Sequence, residues 1–157
     1  MKTSPIYHQR LLKLADHLHH GKLAHKIFDF SVINSIAAPR CGTRGCALGE
    51  LPALFPYDWE FDKYGEPQRR NQPGDHLQTG PEFFGISSSE FYHLFYPNAQ
   101  DSGGYGGRRL DDKSSRKQVA ANLYIFLERA ARRKIKGHGP PRRFAEKEKP
   151  HTAKSQT

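Results

Sequence analysis

The sequence predicts a mainly α, single-domain fold over residues 4–134, with a minor β-hairpin, followed by a disordered basic tail over residues 135–157. Three observations predict it. Apolar residues repeat at helical spacing near both ends of the domain, as Tyr7, Leu11, Leu14, Ala15 and Leu18, and again as Val119, Leu123, Phe126, Leu127 and Ala130. Two capping boxes, Ser87 with Glu90 and Ser115 with Gln118, mark helix starts. Only one segment, Tyr57–Asp62, alternates aromatic and acidic residues as a half-buried strand does.

The first helix is expected over about 5–20. Pro5 suits the first helical position, because its missing N–H would be unsatisfied there in any case. Gly21 ends the helix. Its last turns carry His17, His19 and His20, with His25 beyond. His17 and His20 share a face and are chemically able to bind zinc or nickel. The spacing lacks a partner cysteine or carboxylate pattern, however, and histidines also suit the negative end of a helix dipole. These residues are therefore read as the polar face of the helix, beside Lys13 and Asp16, with no metal site.

Phe28, Phe30 and Val32 alternate, which predicts extended chain lying on the core. Asp29 within that run reads as a cap or turn acceptor. Pro39 and Gly42 then make a turn, and Thr43 is a good helix N-cap. A helix rich in small residues is expected from Thr43, kinking or stopping near Glu50 because Pro52 lacks an N–H and clashes with the preceding turn, with Pro52 opening a short turn that ends at Pro56. Gly45, Ala47 and Gly49 keep side chains short there, so another element or a ligand is expected to approach the backbone closely.

After the strand at 57–62, Gly65 and Pro67 turn the chain toward a return strand within 66–78. Gly80-Pro81 opens a short helix that ends at Gly85. The Ser87 capping box starts another helix, at about 88–96, which puts Phe91, Leu94 and Phe95 inward and stops before Pro97. Residues 101–109 form a glycine-rich connection ending in Arg108-Arg109. No strand precedes it and no Gly-Lys-Ser/Thr closes it, so it fails the phosphate-loop pattern. The last helix, about 116–134, carries Arg129, Arg132, Arg133 and Lys134 in its final turns, matching the helix dipole. Beyond Gly137 there is almost no apolar residue whose burial could offset the entropy of ordering.

The net charge of +9 is unevenly placed. Residues 129–157 carry ten lysines and arginines against two glutamates, leaving residues 1–128 at +1. The basic character thus belongs to the end of the last helix and the tail. No apolar stretch reaches the roughly 18 residues of a membrane span. Nor does an apolar segment of signal-peptide type follow Met1. The expectation is a cytoplasmic protein with reduced thiols and no cofactor.

Both cysteines lie in Cys41-Gly42-Thr43-Arg44-Gly45-Cys46-Ala47-Leu48-Gly49-Glu50. This string, with Phe28-Asp29-Phe30 before it and Phe83-Phe84-Gly85-Ile86-Ser87, Glu90 and Leu94-Phe95-Tyr96-Pro97 after it, resembles one shared by a loose family of small uncharacterised phage and bacterial proteins. The resemblance covers roughly residues 10–128 and implies a whole small domain. It carries over no catalytic role. Where that group often has Trp or His after the last glycine of the motif, this chain has Glu50.

Two functional classes follow. The first, and the favoured one, is a non-catalytic interaction or accessory module. Its partners are nucleic acid, reached through Arg132, Arg133, Lys134, Lys136, Arg142 and Arg143, or a host or phage protein. The second is a cysteine-dependent enzyme or metal site built on Cys41 and Cys46 with a histidine such as His25 or His93 nearby. A thiol near a helix N-terminus has a lowered pKa and is a better nucleophile. That second class requires a histidine or carboxylate within reach of a cysteine sulfur.

Overall fold

In the computed structural model of the protein, the structure describes residues 4–30, 44–72, 74–97 and 110–136. The expected mainly helical architecture with one small hairpin is observed. The elements are α1 (Pro5–His20), β1 (Ile27–Phe28), β2 (Arg44–Gly45), a 3-10 turn (Leu48–Glu50), α2 (Leu51–Leu54), β3 (Trp59–Phe61), β4 (Pro67–Arg69), α3 (His76–Phe84), α4 (Ser88–Phe95) and α5 (Arg116–Lys136). Among the described residues no helix is long and apolar enough to cross a membrane. Cys41, the glycine-rich connection and residues 137–157 lie outside the described residues.

α1 and α5 form the frame. Leu11, Leu14, Ala15 and Leu18 of α1 are fully buried, as their spacing predicts, and face Val119, Ala120, Leu123, Phe126 and Leu127 of α5. The two helices run antiparallel, since Arg116 at the start of α5 bonds to Gly21 at the end of α1 and Tyr124 bonds to Asp16. α5 starts at the expected capping box, in which Ser115 N–H donates to Gln118 Oε1 at 2.7 Å. α4 likewise starts at Ser87, whose N–H donates to Glu90 Oε2 at 2.8 Å while Ser87 Oγ accepts from Glu90 N–H at 3.2 Å.

An aromatic cluster fills the space beside this frame. Trp59, Phe83, Phe84, Phe91 and Phe95 are almost fully buried and meet mostly edge-on or tilted. α3 and α4 approach closely through Gly80, where a Cβ would stand 2.5 Å from the Phe91 ring. Gly85 ends α3 with φ 62°, a left-handed cap that glycine adopts without steric cost. Arg10 ties α1 to the end of α3. Its guanidinium lies 4.0 Å above the Phe83 ring and donates to the Phe83 carbonyl, with Asp58 nearby.

Three expectations need correction. The helix expected from Thr43 is not formed. Thr43 lies outside the described residues, and Arg44–Gly45 instead pairs in parallel with Ile27–Phe28. Helical chain begins only at Leu48; the 3-10 turn stops at Glu50 as expected, and Pro52 sits in the first turn of the short α2, the place where its missing N–H removes no bond. α3 begins at His76 rather than at Gly80, because the Asp75 carboxylate caps it by accepting from Gln78 N–H at 2.9 Å. Pro81 therefore lies inside the helix. In the strand segment only Trp59 is buried. Tyr57 belongs to the preceding turn and is 91% exposed, and Phe61 is 43% exposed.

Candidate functional site

The 3-10 turn brings a carboxylate into the interior. Glu50 is the last residue of that turn, and its side chain is fully buried. A buried carboxylate must be neutralised or hydrogen-bonded, and Glu50 receives four donors. Its Oε1 accepts from His25 Nδ1 at 2.5 Å and from His25 N–H at 3.1 Å. Its Oε2 accepts from His17 Nε2 at 2.8 Å and from Ala24 N–H at 2.8 Å. Burial by itself pushes the Glu50 carboxyl up. The bonds from His25 and His17, reinforced by the two backbone N–H groups, reverse that and hold it at about 2. Glu50 is therefore ionised at neutral pH, which makes His25 Nδ1 and His17 Nε2 the protonated ring nitrogens facing it.

The surrounding residues explain why the chain can be folded this way. His17 belongs to the last turn of α1, and Gly21 follows, letting the chain leave the helix and present Ala24 and His25 to Glu50. β1–β2 pairing then lays Gly45 against the His25 imidazole, where a Cβ would stand 2.5–2.6 Å from three ring atoms. This is the close approach expected of the small-residue stretch, and its object is an imidazole. His17, read from sequence as a residue of a polar helix face, instead turns toward this buried carboxylate.

Of the residues singled out from sequence, Cys46 is 1% exposed. Burial pushes its thiol up to about 11, with the Glu50 charge acting in the same direction against backbone hydrogen bonds from Gly49 and Leu48. The shift runs opposite to the lowered pKa expected beside a helix N-terminus, so the sulfur is held as a thiol at neutral pH. His93 Nδ1 donates to the Ser89 carbonyl within its own helix at 3.0 Å. Among the described residues no group of three His, Cys, Asp or Glu side chains is placed to hold a metal ion. Arg132 and Arg133 are exposed on the last described turns of α5, with Arg129 exposed beside them. Arg132 pairs with Glu128 at 2.6 Å. The backbone of Lys134 and Lys136 completes α5, while Arg142 and Arg143 lie outside the described residues.

No protein-family model, curated protein or solved structure matches the chain.

A second polar pair joins the start of α3 to the end of α4. His76 is buried, and its Nε2 is 2.8 Å from the Tyr96 hydroxyl. Burial pushes the imidazole down and the phenol up, so both are neutral at physiological pH.

The His17–Glu50–His25 cluster was missed in sequence because its members lie 33 and 25 residues apart. One signal pointed to it. Glu50 is the lone charged residue between Cys46 and Pro56, in a segment otherwise built of small and apolar side chains.

Proposed function

We propose that this domain is a non-catalytic interaction module that docks on nucleic acid through the basic end of α5 and the chain that follows it. The observation that carries this reading is the placement of Arg129, Arg132 and Arg133 on the exposed final turns of the longest helix. They lie next to the stretch that holds most of the remaining net positive charge. Such contacts release condensed counterions and are made to phosphates, so they carry affinity without sequence preference. The interior supports a non-catalytic role. Among the described residues the one fully buried carboxylate spends its oxygens on two imidazoles and two main-chain donors, and the buried Cys46 thiol is held protonated. The resemblance to small phage and bacterial proteins suits an accessory role of this kind.

The test is a salt titration of binding to a labelled DNA duplex by fluorescence anisotropy, comparing the full chain with its Arg129→Gln/Arg132→Gln/Arg133→Gln variant. Each phosphate contact contributes about 0.9 to the slope of log K against log salt. The variant should bind more weakly, and its slope should be shallower by about 2–3. Absence of binding at low salt, or equal slopes, would contradict the reading.

A further inference from the structure

We propose that the cleft between the Gly21–Lys26 segment and the first turn of α5 binds a nucleoside phosphate. This site lies beyond the contact proposed above. Along α5, Arg116 and Arg132 are 16 residues apart, or about 24 Å at the helical rise.

The cleft has a volume of about 700 Å³, within the roughly 300–1,000 Å³ of sites that take small ligands. Among the described residues its charged lining is Lys22, Lys26 and Arg116, and no lining residue is acidic. Lys22 and Lys26 are exposed, and neither makes an ion pair or hydrogen bond among the described residues. Arg116 is half-buried and fixed, with Nη1 donating to the Gly21 carbonyl at 2.7 Å. A guanidinium carries five N–H donors in a rigid fork, so one such bond orients it while leaving others for an anion. Three cations line one cleft with no acidic lining residue among those described, and an anion bound there lowers their mutual repulsion. A phosphate has the charge and the acceptor oxygens to do so.

The cleft also has an apolar wall and a fixed main chain. Phe28 lines it and is half-buried, offering an aromatic surface to a base. Ala24 and His25 also line the cleft, and both of their main-chain N–H groups are taken up by Glu50. The phosphate is therefore held by side chains, on a main chain that the buried carboxylate has already fixed. Such preorganisation lowers the ordering cost of binding.

Nucleoside phosphates reach a protein as free nucleotides or as units of a single strand, and the test separates the two. The probes are a fluorescent ADP analogue, inorganic phosphate and a labelled oligothymidylate. Each is titrated into the full chain, into Lys22→Glu/Lys26→Glu, into Phe28→Ala and into the triple arginine variant. Saturable 1:1 binding of the nucleotide or the oligonucleotide is expected, weakened at least roughly tenfold by Lys22→Glu/Lys26→Glu. Phe28→Ala should weaken the nucleotide while leaving competition by inorganic phosphate unchanged. The triple arginine variant should bind the nucleotide as the parent does, so loss of duplex binding there tests the α5 contact alone. Lys22 and Lys26 are exposed, and a thermal melt of their variant confirms the fold. Failure of both nucleotide and oligonucleotide to bind, or unchanged binding by Lys22→Glu/Lys26→Glu, would overturn the proposal. Inorganic phosphate binding as tightly as ADP would overturn its nucleoside part.

Discussion

Glu50 shows how a single charge can be kept inside a small core. Its folded pKa of about 2 lies below the ordinary 4.5, so its ionised form stabilises the fold. Above pH 4.5 that contribution is fully present, and it is lost as pH falls from 4.5 through 2. The size follows from the shift, at about 1.4 kcal/mol per unit, and is on the order of 3 kcal/mol. Glu50→Gln removes the charge but keeps the volume, leaving an amide NH₂ to face donors. It should destabilise the protein by about 2–4 kcal/mol at neutral pH. Its stability should also fall less steeply than the parent's between pH 4.5 and 2. Chemical denaturation of both proteins across that range checks this, and parallel profiles would refute the role given to Glu50. Cys46→Ser should cost about 1–3 kcal/mol by burying a hydroxyl in a space shaped for sulfur, read by thermal melting. At this scale little was legible in sequence. A helical wheel puts His17 on the polar face, and nothing local says that a carboxylate 33 residues on will fold over it.

At the scale of elements the sequence was more informative where a local rule governs. Ser87–Glu90 and Ser115–Gln118 announce α4 and α5, because a capping box is a reciprocal bond between residues three apart. The 44–50 stretch misled for the opposite reason. Its small residues and Thr43 satisfy the local description of a helix start, yet the conformation is decided by a partner far away in the chain. Gly45 pairs with Phe28 and lies on the His25 ring. That ring cannot yield, since Glu50 holds it at Nδ1. Gly45→Ala should therefore destabilise the protein by about 1–3 kcal/mol, as overpacking does. Combining it with His25→Ala should give less than the sum of the two losses, because the clash disappears with the ring. Additive losses in urea denaturation would show that Gly45 and His25 do not compete for this space.

For the whole molecule, the frame of α1 and α5 was legible because both helices carry a continuous apolar face. The aromatic cluster beside them was legible only as a list of residues. The cleft by Arg116 was not legible, since it exists only where the end of α1 meets the start of α5. Charge separates the molecule in the same way: the domain up to Glu128 is near neutral, and cations concentrate after it. Truncation after Lys134 removes six lysines and arginines with two glutamates, a net loss of four positive charges. It leaves Val119, Ala120, Leu123, Phe126 and Leu127, the residues of α5 described as buried and apolar, in place. The melting temperature should be nearly unchanged, while binding to duplex DNA should weaken and its salt dependence should become shallower.

The most direct test of the account is a backbone amide chemical-shift map of the full chain titrated with a short DNA duplex at low salt. Perturbations should concentrate on residues 128–136 and the chain beyond, be reversed by added salt and be alike for unrelated duplex sequences. Perturbations centred instead on the β3–β4 hairpin, or none at all, would contradict it.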